Sequence, residues 1–246
     1  MARKKKINKN VVAGLTAVGF ILATGVGLAA VKALKKSDPV HWQRLAEGAE
    51  QEKNWEQARL YYYRAYNVSK NAQYLVDVGD MHYQAGEEMP AAYSWNQAIT
   101  QTPDLISAHE KLIDLQSEIA NMFPRVPRTW LALKERAEAL LAVDEQNAKG
   151  LFYLGVSLRR LSEKDGGNRL RAEQSILRAA KLAPDVINYQ IAKASILLSE
   201  GADEEAEKVF QRLVSMYTEP GEDASRVCQT YATYLGNADR PQEAVA

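Results

Sequence analysis

Apolar residues recur along this chain at steps of three and four, the spacing that puts side chains on one face of an α-helix. Trp42, Leu45, Ala46 and Ala49 form one such stripe, and Trp55, Ala58, Tyr62 and Ala65 the next, with a tight turn predicted near Lys53-Asn54. Ala46 and Ala58 are small where two helix backbones must approach closely, and larger residues fill the space beside them. A second pair of stripes follows: Leu75, Val78, Gly79 and His82, a turn at Gly86, then Ala91, Trp95 and Ala98, ended by Pro103. Ala108, Leu112, Leu115 and Ile119 predict a helix from about Leu105 to Met122. The connection Phe123-Pro124-Arg125-Val126-Pro127-Arg128 carries two prolines that a helix interior does not tolerate, and a helix from Trp130 to Val143 follows it. Next come Leu151, Leu154, Gly155 and Leu158, a turn over Lys164 to Asn168, then Ala172, Ile176 and Ala179 before Pro184. Ala194, Leu197, Gly201, Ala206 and Phe210 make a further pair. After a break at Thr218 to Glu222, Val227, Tyr231, Ala232 and Leu235 open another.

The order of these residues (aromatic, Leu, small; then small, aromatic, Ala) resembles the tetratricopeptide repeat, a helix-turn-helix unit of 34 residues. The resemblance implies an all-α, right-handed superhelical solenoid of about five repeats over residues 39–221, with an incomplete sixth in 222–246. The third unit is about seven residues too long for the pattern, which assigns the excess to its inter-helix loop. Asp144 to Asn147 stands where the family often has Asp-Pro-Asn-Asn. The chain stops at Pro241 to Ala246, short of a finished second helix and without a polar capping element, so the sequence reads as a piece of a longer protein.

Upstream the pattern changes. Residues 1–10 are a basic head, and Val11 to Val31 runs for 21 residues without a charge. At ~1.5 Å per residue such a helix is roughly 30 Å long, the thickness of a bilayer core. Residues 11–34 are therefore expected to be a transmembrane helix. The rival reading is a cleaved signal peptide, with Val31-Lys32-Ala33 at the cut; against it stand the length of the apolar run and Lys32 just inside the site. Five basic residues precede the span and three follow it, which favours a cytoplasmic N-terminus and a repeat domain on the periplasmic or other extracytoplasmic side. Gly19, Ala23 and Gly27 form a small stripe that could pack on another span, although small residues are common in spans anyway. Asp38 and Pro39 cap and start the first helix, so the repeats sit close to the membrane.

Charge and candidate chemistry narrow the function. Residues 1–36 hold eight basic residues and no acid, whereas the rest carries 23 basic and 31 acidic residues, a net of −8. An acidic body does not suit nucleic-acid binding. His41, His82 and His109 fall in three different repeats, and His109-Glu110 lacks a second histidine at position 113, so no metal site is expected. No phosphate-binding glycine loop and no nucleophile elbow occurs. No cofactor is expected, and the chain reads as a binding protein rather than an enzyme. Cys228, the single cysteine, reads as a small buried apolar residue. Tyr61, Tyr62, Tyr63 and Tyr66 read as packing residues rather than a stacking site.

In proteins similar to this one the first helix of each repeat lines a partner-binding groove. That resemblance selects Gln43, Glu47, Glu50, Asp77, Asp80 and Tyr83 in the first two repeats, and Glu110, Asp114 and Glu118 in the third. It selects Lys149, Phe152, Arg159 and Arg160 in the fourth and Asn188, Ile191, Ser195 and Leu198 in the fifth. Acids at Glu47, Asp77 and Asp80 argue against the chaperone-carboxylate binders of the family, which use Lys and Asn there. The expected function is a membrane-anchored scaffold that binds a protein partner, a peptide or a helix, with a basic stretch and an acidic or apolar anchor. Two alternatives stand beside it: a recruiting or regulatory arm of an enzyme whose catalytic domain lies beyond residue 246, and a structural subunit of a membrane complex.

Overall fold

The computed structural model describes residues 37–161, 166–216 and 221–237. The proposed span Val11–Val31 and the chain end after Asn237 lie outside them. Among the described residues there are eleven α-helices and no strand: α1 (Pro39–Gln51), α2 (Trp55–Ser69), α3 (Gln73–Gln84), α4 (Glu88–Gln101), α5 (Ile106–Met122), α6 (Pro127–Val143), α7 (Ala148–Leu161), α8 (Gly166–Leu182), α9 (Ile187–Ser199), α10 (Asp203–Met216) and α11 (Glu222–Asn237). None is long and apolar enough to cross a membrane. The chain divides after Pro103 into unit 1, with α1 to α4, and unit 2, with α5 to α11. Within each unit consecutive helices pack on one another, and in unit 2 the first helices of neighbouring pairs also touch, α5 with α7 and α9 with α11.

Local chemistry sets where the helices start and stop. Asp38 Oδ1 accepts the Val40 N–H at 3.0 Å and Pro39 takes the first turn, where its missing donor costs nothing. Lys53 adopts a left-handed φ of 56° to turn the chain, and Asn54 then caps α2 by accepting the Gln57 N–H at 3.2 Å. Lys70, at φ 58°, closes α2. Gly86 and Gly201 turn α3 into α4 and α9 into α10 with φ near 78° and 76°, values that favour glycine. Two boundaries differ from the sequence expectation. Pro127 is the first residue of α6 rather than part of the loop, because a proline in the first turn has no hydrogen bond to break. α8 begins at Gly166, inside the stretch expected to be turn.

The core lies in the seams between helices. Ala46, Ala58 and Ala65 have no exposed surface, and Ala46 and Ala58 pack with Tyr62, Val78 and Met81 around α1, α2 and α3. Trp95 fills the seam between α3 and α4 over Gly79, where a Cβ would run into the indole ring. In unit 2, Trp130, Leu133, Ala137 and Leu140 of α6 pack with Ile113 of α5 and Leu154 and Leu158 of α7. Phe210 of α10 stacks on Tyr231 and Tyr234 of α11. The expectation for Cys228 is corrected: it is exposed. Val227 and Leu235 occupy the buried side of α11, and a side chain about 100° round from Val227 falls outside that seam.

A methyl group at Gly155 would sit 2.6 Å from Ile176 Cγ1 and 2.7 Å from the Ala172 carbonyl oxygen, so α7 and α8 would have to part. Gly155→Ala is expected to cost about 1–3 kcal/mol in a urea titration. Gly48, exposed within α1 with open space around it, is the contrasting site: Gly48→Ala is expected to add up to about 1 kcal/mol through helix propensity alone.

Candidate functional site

The first helices of unit 1 present one connected polar face. At helical spacing α1 displays Gln43, Glu47 and Glu50, and α3 displays Gln73, Asp77 and Asp80. The two helices are bridged by Tyr74, whose hydroxyl donates to Gln43 Oε1 at 3.0 Å, while Gln43 Nε2 donates to Glu47 at 2.8 Å. Tyr62, buried beneath, donates to Glu50 at 2.5 Å. Burial, with the Glu50 hydrogen bond and its charge behind it, raises the Tyr62 phenol far above its ordinary value. Burial also raises Tyr74, helped by Asp77, Asp38 and Glu47. Four carboxylates thus stand on the two stripes, which carry no lysine or arginine. Asp80 and Tyr83 are both tied to Trp95: the indole N–H is shared between Asp80 Oδ1 at 3.1 Å and the Val76 carbonyl at 3.2 Å, and the Tyr83 ring lies 5.9 Å away.

Unit 2 uses the equivalent positions differently. Lys149 of α7 donates to Asp114 Oδ2 at 2.8 Å, and Asn147, just before α7, donates to Glu110 at 3.0 Å, so the next repeat holds both of these α5 carboxylates. Phe152 is corrected: it is not an open groove residue but 9% exposed, stacked on Tyr189 of α9 at 4.4 Å between ring centres. Burial raises the Tyr189 phenol to about 12, with smaller contributions from Tyr153, Asp114 and Glu110. The aromatic pair fills the space between two first helices that the sequence pattern leaves open. Ile191 is half-buried against Ile187 and Leu213. Arg159 and Arg160 are exposed, and Arg160 lies 5.3 Å over the Trp130 ring of α6.

Periodicity alone does not reveal the cross-helix ties. The sharpest is a cluster of Arg59 on α2, His82 on α3 and Glu87 at the turn into α4. Glu87 Oε2 lies 2.5 Å from His82 Nδ1 and 3.1 Å from Arg59 Nη1. These neighbours, the His82 hydrogen bond first, lower the Glu87 carboxyl from its ordinary value. The cluster stands beside a cleft of about 700 Å³ in unit 1, walled by Leu60, Tyr63 and Tyr93 and floored by Leu75 and Val78. Among the described residues no group of three or more His, Cys, Asp or Glu is placed to hold a metal ion.

Neither a protein-family model nor a curated protein matches the chain. Solved structures do. A thermophilic tetratricopeptide repeat protein of Thermus thermophilus superposes with a TM-score of 0.56 at 17% identity, over 78% of this chain and 98% of that one. The chain has the tetratricopeptide repeat fold. The pilF protein of Pseudomonas aeruginosa superposes at 0.60 with 12% identity, over 84% of this chain and 88% of its own. MamA from Desulfovibrio magneticus RS-1, from residue 41 onward, gives 0.52 and 14% over 71% and 92%. At these identities the likeness is one of fold, and the exposed faces are this chain's own.

A carboxyl whose pKa is lowered on folding adds stability that is complete above its unfolded value and is lost as the pH falls through the folded one. Glu87→Gln is therefore expected to be less stable than wild type at pH 7. In urea titrations the difference should shrink as the pH is taken below the ordinary carboxyl value of 4.5. A difference that stays constant across that range would remove Glu87 from the clamp.

Proposed function

We propose that this protein is a membrane-anchored scaffold that holds a protein partner on the acidic first-helix face of unit 1. The observation that carries the reading is the contrast between the two units. In unit 2 the charged groove positions Lys149 and Asp114 satisfy each other and Phe152 is buried. In unit 1 Glu47, Glu50, Asp77 and Asp80 share a surface with no basic residue on the same stripes. A lysine- or arginine-bearing segment, extended or helical, complements that surface in charge, and Tyr74 and Tyr83 offer it apolar area. The anchor is Val11 to Val31, and the flanking basic residues favour an extracytoplasmic body.

Two measurements test the proposal. Membranes washed in alkaline carbonate should retain the full chain, and its release would overturn the anchor. Cross-linked partners recovered from solubilised membranes should be lost from Glu47→Lys with Asp77→Lys, and at high salt, while the variant keeps its helical circular dichroism. Both positions are surface carboxylates outside the Trp95 and Tyr62 hydrogen bonds. Partners that co-purify equally with wild type and variant would overturn the acidic face as the binding surface.

A further inference from the structure

The connection between α5 and α6 is where the third repeat outgrows the pattern, and the structure turns it outward. Residues 121–128 are eight exposed positions in a row. Met122 is 58% exposed, Phe123 55% and Val126 44%, and none of the three packs into a core cluster. The loop is held rather than slack. The Trp130 indole N–H donates to the Pro124 carbonyl at 2.9 Å, and the Thr129 hydroxyl donates to the Val126 carbonyl at 2.8 Å. Gln116 on α5 donates to the Thr129 carbonyl at 3.2 Å.

The same end of unit 2 is basic. The connection contributes Arg125 and the first turn of α6 contributes Arg128, and residues 123–128 hold no acid. The last turn of α7 contributes Arg159 and Arg160, and Arg160 lies over the Trp130 ring that braces the loop. Among the described residues none of these four arginines forms an ion pair, whereas Arg169 and Arg171 on α8 are matched by Glu173 and Glu138. In a body of net charge −8, four guanidinium groups without an ion pair among the described residues, beside exposed Met, Phe and Val, are a local exception.

We propose that this end of unit 2 docks on the anionic headgroup surface of a membrane. Phe123 and Met122 enter the boundary between headgroups and acyl chains, while Arg125, Arg128, Arg159 and Arg160 bind lipid phosphates. The shape selects this occupant. The apolar side chains stand exposed on a braced connection with arginines beside them, and that pairing of apolar tips with cations suits a flat, deformable anionic surface better than a peptide. The inference deepens the anchored reading above and rests on it for the membrane being within reach.

The test uses the full chain with Cys228→Ser and Val126→Cys, labelled there with an environment-sensitive fluorophore. The protein is reconstituted into vesicles of phosphatidylcholine alone or with phosphatidylglycerol. Blue-shifted emission, several-fold stronger with phosphatidylglycerol, is expected. It should be lost in 1 M salt and in Arg125→Glu with Arg128→Glu, and reduced by Phe123→Ser. A water-like reporter in both vesicle types, with the protein still resistant to carbonate, overturns the docking surface and leaves the anchor standing. If carbonate releases the protein, the anchor falls, and flotation with added vesicles then decides: binding to anionic but not neutral vesicles supports the surface, and no binding overturns it. Equal emission in neutral and anionic vesicles also overturns it. So does a shift produced by a polyglutamate peptide and not by phosphatidylglycerol, which would assign the patch to an acidic protein.

Discussion

At Gly155, α7 comes so near α8 that a methyl group would lie 2.6 Å from Ile176 and 2.7 Å from a backbone carbonyl. The same close approach recurs at Gly79 beneath Trp95, and Ala46, Ala58 and Ala65 are left without exposed surface. Small residues at the crossing let backbones close up, and the large neighbours then interlock at crystal-like density. Everything else in the chain depends on that spacing. Once the two helices of a pair are drawn together, the first helices of successive pairs come within hydrogen-bond reach. Tyr74 can meet Gln43, and Lys149 can meet Asp114.

That proximity decides what is left over for a partner. A charge answered by its own chain has little to offer another molecule. Lys149 and Asp114 cancel, and Asn147 occupies Glu110. Phe152 spends its ring on Tyr189, where the stacked pair adds to the core. In unit 1 the bridging groups are neutral. Tyr62 and Tyr74 are phenols that burial keeps protonated, and Gln43 is an amide, so these bridges bring no opposite charge to the carboxylates around them. Trp95 joins the two roles: its ring fills the α3–α4 seam, and its N–H orients Asp80 at the surface. The acidic character of unit 1 is thus built from the core outward.

Charge is distributed along the chain rather than balanced locally. A basic N-terminal segment precedes an acidic first unit, and the second unit carries arginines beside exposed apolar residues where α5 meets α6. The fold is shared with proteins that have only 12–17% of their residues in common with this one, so such surfaces, not the helix pairs, distinguish it.

The helices and their seams were legible in the sequence because burial along one helix repeats every three to four residues. Leu75, Val78, Ala91, Trp95, Ala98, Leu154, Ala172, Ala206 and Phe210 read as core from spacing alone, and all are buried. Turns were legible at Gly86 and Gly201, where a positive φ calls for glycine. What periodicity cannot report is which neighbouring helix covers the flank of a stripe, because that is set by residues tens of positions away. Phe152 reads as open until Tyr189 arrives from α9, and Lys149 reads as available until Asp114, 35 residues earlier, answers it. Cys228 reads as core until Val227 and Leu235 take the seam. The sequence by itself determined the helix pairs and their buried edges, since each depends on contacts within a repeat. Only the tertiary structure decided which charged positions meet an opposite charge and which meet a neutral group, since that depends on how close successive repeats come.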